Sequence, residues 1–328
     1  MTTSPKVAFI IVAWNNADLL PECFLSIQEQ AYRDHVTVLV ANGSKDDTVA
    51  MVKDKYPWVE VVEAYANLGF AKGNNIGIRY ALERYPELEY CVFLNTDARM
   101  RHDWLNVMLD FAKQKPKLAL AQSMTLDYYD HQIMDSTHIY ISQQGAGTQS
   151  GWRMPFRGYK GPRKVFGVNA AAAIVSCNFI QAQPYDSLLD ETLFMYLEDV
   201  DLAARATIMG WDCYSVSGTE AYHMGSASSG KNPGYSLYMT YRNNIAVLYK
   251  NLPFSLLLKM IPKLIISDYR TIKHLRTLGK GHLAGQIIKG RVVGLVRLPL
   301  FVVSAWRLRH YRRTIDKTAL WSFMQAGE

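Results

Sequence analysis

Short apolar runs rich in β-branched residues alternate with segments of helical spacing through the first hundred residues. The first helical segment places its apolar residues on one side of a helix: Leu19, Leu20, Cys23, Phe24 and Ile27. Connections of this length cross over a sheet as helices, so the strands they join run parallel. We therefore predict an α/β fold with a mostly parallel sheet flanked by helices, built on strands with the sequences VAFIIV, HVTVLVAN, VEVVE and YCVFL.

A short acidic motif, Asn95-Thr96-Asp97, follows the strand YCVFL. In sheets of this kind ligands bind beyond the carboxyl ends of the strands, which is where this motif falls. Mg²⁺ and Mn²⁺ take oxygen ligands from one or two carboxylates together with substrate phosphates, so Asp97 is a candidate ligand for a cation that bridges a diphosphate. The alternative is that Asp97 only caps the helix predicted to begin near Asp103.

A second acidic cluster, Glu198, Asp199 and Asp201, lies in the helical segment EDVDLAARATIMGW. On a helix, residues 198 and 201 share a face while residue 199 points elsewhere, so the three carboxylates cannot share one task. One is a candidate general base toward a hydroxyl group, and another pairs with Arg205. Acidic residues in a first turn also complement the helix dipole, and that structural role stays open.

Two further segments are candidates for metal or phosphate contacts. His223 lies in a predicted loop 24 positions after Asp199 and is either a third metal ligand, a phosphate contact or an ordinary loop histidine. The loop at residues 67–75 opens a helix predicted from about residue 74 to 84, and its glycines, its Lys72 and the helix N-terminus suit a pyrophosphate. Neither G-x-x-x-x-G-K-[ST] nor a G-x-G-x-x-G after the first strand occurs, which argues against phosphate-loop and dinucleotide-binding proteins.

The chain changes character after this first part. Between residues 122 and 164 the periodicity gives way to Tyr, His, Gln, Ser and Gly, which predicts a long irregular segment that is a functional lid or disordered. From Tyr235 to the end the spacing predicts helices, with breaks at Pro253, Pro262 and Pro299.

Positive charge is concentrated in these C-terminal helices. Residues 251–328 contain 14 Lys and Arg against 3 Asp and Glu, whereas the rest of the chain contains 22 against 26. The mildly acidic body argues against nucleic-acid binding. Four basic residues, Lys259, Lys263, Arg270 and Lys273, fall in one helical arc opposite an apolar side. This pattern predicts contact with an anionic membrane surface, with a solvated face or packing onto the body as alternatives.

Composition narrows the cellular setting. The 49% of hydrophobic and 20% of charged residues indicate an ordered globular protein. No stretch reaches the roughly 18 apolar residues of a membrane span, and the N-terminus does not show a signal peptide. The four cysteines lack C-x-x-C spacing, which is typical neither of a disulfide framework nor of a zinc site. We expect a cytoplasmic protein, peripheral on the inner face of the cell membrane.

Taken together and in this order, the motifs resemble one family. They are AWNN around Trp14, NGS at 42–44, NLGFAKGNN at 67–75, LNTD at 94–97, GVNAA at 167–171, LDETLFMYLEDVDLAAR at 189–205, and His223. The chain resembles the inverting family 2 glycosyltransferases of the GT-A (nucleotide-diphospho-sugar transferase) fold, especially their rhamnosyltransferase branch. The likeness covers roughly residues 5–225. Its two longest motifs, at 67–75 and 189–205, are too long to agree with the family by chance.

The resemblance implies an organisation and roles for individual residues. Residues 1–100 would form the nucleotide-sugar-binding half, 101–230 the acceptor-binding and catalytic half, and 231–328 a basic amphipathic helical extension. Asp199 would be the catalytic base with Glu198 beside it, and Asp97 and His223 would hold Mg²⁺ or Mn²⁺. Donor contacts are implied for Trp14, Asn42, Gly43, Ser44, Asn67, Gly69, Lys72, Asn75, Asn95 and Asp97.

The implied reaction transfers a sugar, L-rhamnose by branch resemblance, to a hydroxyl of a glycan or polyprenyl-linked glycan with inversion. The donor would be dTDP-rhamnose or a UDP-sugar. Two residues depart from the family pattern. Ala41 stands where an Asp usually precedes NGS, which removes one expected nucleotide contact, and Asn95 replaces an Asp and leaves less charge for the metal.

Two other functions fit parts of the pattern. A nucleotidyltransferase that forms sugar nucleotides would carry a Gly-rich basic loop after the first strand, where this chain has AWNNADLL. A catalytically reduced, membrane-associated scaffold is favoured only by Ala41 and Asn95. The joint presence of Asp97, Asp199 and His223 argues against the scaffold.

Overall fold

The computed structural model describes residues 4–158, 160–225, 232–314 and 321. Strands in these residues are β1 (Val7–Ala13), β2 (His35–Asn42), β3 (Val59–Ala64), β4 (Tyr90–Leu94), β5 (Ala98–Met100), β6 (Leu118–Asp127), β7 (Met134–Ser136), β8 (His138–Ile141), β9 (Gly147–Ser150), β10 (Arg163–Val165), β11 (Ala172–Ser176) and β12 (Asp212–His223). The α-helices are α1 (Leu20–Gln28), α2 (Thr48–Lys55), α3 (Gly69–Arg84), α4 (Trp104–Ala112), α5 (Cys177–Gln181), α6 (Glu198–Ile208), α7 (Pro233–Asn251), α8 (Phe254–Thr277), α9 (Gly281–Val296) and α10 (Val302–Thr314).

One large sheet organises the described residues, with the strand order β10-β12-β6-β11-β4-β1-β2-β3. The strands β4, β1, β2 and β3 are all parallel. Beyond β4, β11 runs antiparallel to both β4 and β6, and β12 is parallel to β6. The predicted α/β fold with a mainly parallel central sheet is therefore confirmed. The sheet continues across residue 100, and the division into parts at 1–100, 101–230 and 231–328 stays a prediction.

The central strands are buried on both faces, which is why they read as continuous apolar runs. Alternate residues of β1 point to opposite sides of the sheet. Phe9 packs into the cluster that contains Phe24 of α1 and Trp104 of α4. Ile10 packs into the opposite cluster with Ile78 of α3. Helices therefore cover both faces of the sheet, and the candidate site residues lie at the edge formed by the carboxyl ends of its strands.

Two segments differ from the predictions. Helix α3 begins at Gly69 and not near Asn74, because the Asn67 side chain accepts the Gly69 N–H and stabilises a turn directly before the helix, whose N-cap is Leu68. The segment at 122–164 contains the end of β6 and the short strands β7 to β9, with β10 beginning at its end. The prediction of an irregular segment was wrong there, because strands of three or four mixed residues are too short to show a period of two.

The C-terminal helices pack on the body and on each other. Pro253 precedes α8, and Pro299 lies in a short 3-10 turn between α9 and α10, so both predicted breaks are confirmed. The predicted break at Pro262 was wrong, because Pro262 lies inside the continuous helix α8. Its side chain is exposed, so the carbonyl that loses its helical partner one turn earlier faces water. No helix within the described ranges is long and apolar enough to cross a membrane.

Candidate active site

Asp97, His223 and Asp135 form a buried cluster at the edge of the sheet. His223 is the last residue of β12 and pairs in register with Ala98, which places its ring beside Asp97. Its Nε2 lies 3.3 Å from Asp97 Oδ1, and its Nδ1 lies 3.0 Å from Asp135 Oδ2. The prediction of a loop position for His223 was therefore wrong, since strand pairing and not a loop brings it to the site. Asp135 lies in β7 and had no sequence signal, because it stands alone in a segment without periodicity.

The electrostatics of this cluster follow from its two carboxylates. Burial alone would lower the pKa of His223, but hydrogen bonds to Asp135 and Asp97 and their negative charges raise it to about 10. The Asn95 side-chain nitrogen lies 3.4 Å from His223 Nε2. A proton on the ring and a metal ion at Nε2 are therefore in competition for the same nitrogen.

The cluster fits a divalent cation that also binds the substrate. No group of three or more His, Cys, Asp or Glu side chains in the described part of the chain is arranged to hold a metal alone. Asp97 Oδ1 and His223 Nε2 nonetheless supply two adjacent donors. Mg²⁺ and Mn²⁺ at nucleotide sites commonly take only one or two protein ligands and complete their shell with phosphate oxygens and water. The donor set thus suits a cation brought in with a diphosphate.

Trp14 and Ser44 lie beside each other at the carboxyl ends of β1 and β2. The Ser44 Oγ donates to the Ala13 carbonyl at 3.2 Å and accepts the Asn15 N–H at 3.0 Å, which ties the two strand ends together. The Trp14 side chain is 47% exposed. An exposed indole at this edge is available to stack on a planar base.

Asn42, Gly43 and Asn67 shape the loop before α3. The Asn42 Oδ1 accepts the Leu68 N–H at 2.9 Å, and its Nδ2 donates to the Gly69 carbonyl and to Asn67 Oδ1. Gly43 has a φ of 73°, and a Cβ there would lie 2.4 Å from the Ala66 carbonyl carbon. The two amides are engaged within the protein, so the structure assigns them a positioning role, and a direct contact with the donor stays a prediction.

Helix α3 presents Lys72 and buries Asn75. Lys72 Nζ lies 3.6 Å from Glu191, and its side chain is 45% exposed. The Asn75 amide donates to the Leu189 carbonyl at 2.8 Å and accepts the Leu189 N–H at 2.9 Å. Asn75 therefore ties α3 to the segment that leads into α6, whereas the half-exposed Lys72 forms an ion pair with Glu191 and is accessible to a phosphate.

The N-terminus of α3 packs directly against the segment before α6. Gly69 has a φ of 82°, and a Cβ there would lie 2.4 Å from the Phe194 carbonyl oxygen. The same oxygen accepts the Ala71 N–H at 3.1 Å. The predicted donor loop and the predicted catalytic helix are thus in contact.

The acidic residues of α6 have different environments, as the helical spacing predicted. Asp201 is fully buried and pairs with Arg205 at 3.0 Å, which confirms the expected partner. Glu198 is 7% exposed, and its Oε2 has no hydrogen-bond partner among the described residues. Asp199 is partly exposed, and its Oδ1 accepts the Val200 N–H at 2.8 Å.

These environments separate the two neighbouring carboxyl groups chemically. Burial, together with the negative charge of Asp199, raises the pKa of Glu198 to about 8. Burial raises the pKa of Asp199 to about 6, although backbone hydrogen bonds oppose the shift. Burial opposes the charged form of Glu198 more strongly than that of Asp199, so Asp199 is the better candidate for a carboxylate that accepts a proton.

The chain matches Glycosyl transferase family 2 over residues 8–186, more than half of its length, and it belongs to this family of enzymes. It is 24% identical over 245 residues to N-acetylglucosaminyl-diphospho-decaprenol L-rhamnosyltransferase of Mycobacterium tuberculosis, across 69% of this chain and 79% of that protein. It is 23% identical over 224 residues to the rhamnosyltransferase WbbL of Escherichia coli, across 61% of this chain and 82% of that protein. The predicted glycosyltransferase family and its rhamnosyltransferase-like character are thus confirmed.

Solved structures share the fold. The chain aligns with S. aureus TarS 1-349 at a TM-score of 0.54 and 13% identity, covering 97% of this chain and 92% of that one. It aligns with GalNAc-T7, solved with UDP, GalNAc and Mn²⁺, at a TM-score of 0.58 and 12% identity. That alignment covers 75% of this chain and 48% of the GalNAc-T7 chain. At these identities the likeness confirms the GT-A fold.

Replacing Gly69 tests the contact between α3 and the segment before α6. Gly69→Ala should lower the free energy of unfolding by about 2 kcal/mol or more, because the left-handed conformation is unfavourable for alanine and the added Cβ overlaps Phe194. Gly285→Ala is the matched control, since Gly285 lies inside α9 and a Cβ there meets nothing within 4 Å. It should stabilise by roughly 0.5–1 kcal/mol. Thermal unfolding that ranks the two variants equally would contradict this packing.

Proposed function

We propose that this glycosyltransferase moves L-rhamnose from dTDP-rhamnose to a hydroxyl of a glycan or polyprenyl-linked glycan, with inversion at the anomeric carbon. The observation that carries the proposal is Asp199, a partly exposed carboxylate at the N-terminus of α6, beside the buried Glu198, whose pKa burial raises. The printed names of the relatives, both rhamnosyltransferases and one acting on a decaprenol-linked sugar, support this donor and this class of acceptor. A UDP-sugar is the alternative donor.

An inverting transfer is a direct displacement, so it needs a base on the acceptor side of the sugar. The Val200 N–H holds Oδ1 of Asp199 at 2.8 Å. We assign Oδ2, the other oxygen, to the proton of the acceptor hydroxyl. Burial favours the neutral form of Glu198, and a neutral Glu198 would not repel the charged form of Asp199.

The other requirement is stabilisation of the departing nucleoside diphosphate. We assign Asp97 and His223 as the protein ligands of Mg²⁺ or Mn²⁺, with Asn95 beside them. When bound, this cation would neutralise charge that develops on the leaving group. Lys72 and the N-terminus of α3 would add positive potential on the same side, and Trp14 with residues 42–44 would hold the base and ribose. The parts 1–100, 101–230 and 231–328 keep their proposed donor, acceptor and extension roles.

Substituting the base is the first test of this mechanism. Asp199→Asn should lower turnover by about two to four orders of magnitude, which is the usual contribution of a positioned base. Donor affinity should change little, because the amide keeps the shape of the side chain. The measurement is steady-state transfer to a glycan acceptor together with calorimetric donor binding. A near-normal Asp199→Asn enzyme combined with a strongly impaired Glu198→Gln enzyme would move the base to Glu198.

The pH profile tests the same assignment without a substitution. A base works only when deprotonated, so turnover should fall as the pH falls through about 6, the raised pKa of Asp199. Turnover that does not change as the pH is lowered through this range would contradict a carboxylate base at the N-terminus of α6.

Metal removal tests the second part of the mechanism. Excess chelator should abolish transfer, and Asp97→Ala and His223→Ala should each weaken cation-dependent binding of the nucleoside diphosphate, because each removes one of two protein ligands. Calorimetry with and without Mn²⁺ measures the effect, and Asp130→Ala on an exposed turn is a control carboxylate. Full activity in chelator would contradict the metal assignment.

We further propose that α8 rests on an anionic membrane surface, where a lipid-linked acceptor is found. One side of α8 packs on the body through Leu256, Met260 and Leu264. The apolar side predicted for this helix therefore has two parts. One part packs on the body, and the other remains exposed. The exposed apolar stripe consists of Phe254, Leu258, Ile261, Ile265 and Tyr269. A basic stripe of Lys259, Lys263, Arg270 and Lys273 lies next to it and is also exposed. Apolar and basic stripes side by side are typical of helices that lie in the membrane interface.

Removing the basic stripe tests this surface. Changing Lys259, Lys263, Arg270 and Lys273 together to Gln should lower partitioning onto anionic vesicles by roughly 10²–10³-fold, since each basic residue near such a surface contributes about 1 kcal/mol. The control changes four exposed lysines of the body: Lys53, Lys55, Lys113 and Lys117. Vesicle sedimentation at low and high salt measures both. Equal losses in the two variants, or an unaltered protein that ignores anionic vesicles, would contradict membrane contact by α8.

A further inference from the structure

The segment that leads into the catalytic helix has an unfavourable backbone. Five non-glycine residues with positive φ occur in the described ranges, and three of them lie here: Phe194 at 66°, Tyr196 at 69° and Leu197 at 68°. Bulky residues rarely adopt this conformation, and they keep it only where surrounding contacts hold them. The contacts that hold residues 193–197 therefore determine where Glu198 and Asp199 begin their helix.

The strongest of these contacts come from α7, far along the chain. Asn243 is buried, and its Nδ2 lies within hydrogen-bond distance of three carbonyl oxygens of the segment, those of Leu193 at 2.9 Å, Met195 at 2.9 Å and Tyr196 at 2.8 Å, which share its two N–H groups. Arg242 donates from Nη2 to the Leu193 carbonyl at 2.7 Å and from Nε to Asn243 Oδ1 at 2.9 Å. The second bond fixes the orientation of the amide, so that its N–H groups point at the segment.

The same helix also binds the first turn of α6. Lys250 Nζ lies 2.7 Å from Asp201 Oδ1 and 2.6 Å from Asp190 Oδ2. Asn251 donates to Asp201 Oδ1 at 2.7 Å. Helix α7 thus holds the catalytic helix on both sides of its N-terminus, although α7 lies outside the residues 8–186 that match the family.

We propose that Asn243 is a positioning residue for the transfer reaction, which holds residues 193–197 in the conformation that places Asp199. The inference rests on the proposed function in taking Asp199 as the base. Because the Phe194 carbonyl also accepts the Ala71 N–H at the start of α3, the same segment sets the base relative to the donor loop. Loss of the Asn243 side chain should therefore change the position of Asp199 without removing its carboxylate.

The test compares two neighbouring asparagines of α7. Asn244 is also buried, but it donates to the Gly145 carbonyl at 2.6 Å and accepts from Arg291, so both of these hydrogen bonds join residues outside 190–205. Asn243→Ala should speed amide hydrogen exchange of residues 193–201 about tenfold or more and lower kcat about 10–100-fold, with the donor KM changed less than threefold. Asn244→Ala should lose thermal stability to a similar degree while exchange in 193–201 and kcat stay within twofold.

Asn243→Ser, which keeps one short donor, gives an intermediate loss and serves if Asn243→Ala does not fold. Unchanged exchange in residues 193–201, or equal losses of kcat in the Asn243 and Asn244 variants, would overturn the role of Asn243. Hydrogen exchange needs no substrate, so the two proposals fail separately. An unaltered protein that transfers no sugar contradicts the proposed function, whereas unchanged exchange contradicts the positioning role whatever reaction is catalysed.

Discussion

The structure depends on cationic partners for its buried carboxylates, because a buried negative charge is costly unless it is paired. Asp201 is buried against Arg205 and Lys250, and Asp97 is buried against His223, whose other nitrogen bonds Asp135. A carboxylate without such a partner shifts its pKa upward instead. Glu198 and Asp199 are where that happens, since burial raises the pKa of both. This pair lies at the N-terminus of α6, which is where we place the proposed base.

Strand pairing decides which of these groups meet. Asp97 follows β4 directly, but His223 comes from a strand that begins more than a hundred residues later. The antiparallel register of β12 with β5 sets His223 opposite Ala98, and the parallel register of β12 with β6 sets it opposite Asp127. The pairing of β12 therefore places His223 beside Asp97 at the sheet edge. The parallel strands β1 to β4 do not contribute a histidine there. The metal assignment depends on this register more than on any local sequence around His223.

The sequence predicted best where local pattern and tertiary burial agree. The strands β1 to β4 were predictable because both faces are buried, and Asp97 and Asp199 became candidates because each lies in a motif whose residue types suit the proposed chemistry. Asp135 and Asn243 were not found, because each acts on a residue at least 40 positions away through one side chain. The start of α3 was misplaced because two glycines lie near its beginning, and glycines are typical of a loop. The Asn67 side chain accepts the Gly69 N–H at the first residue of this helix. Pro262 was misread because an exposed proline is tolerated inside α8.

The family match ends at residue 186, before the catalytic helix begins at Glu198. The residues after 186 contact the part of the chain that matches the family through specific hydrogen bonds. Asn75 of α3 binds both backbone groups of Leu189, and the Phe194 carbonyl accepts the Ala71 N–H. Contacts of this kind transmit the position of the donor loop to α6, whereas α7 holds α6 from the opposite side. With Asp199 as the proposed base, residues 189–197 connect the proposed donor loop to that base, and α7 belongs to the structure that positions both.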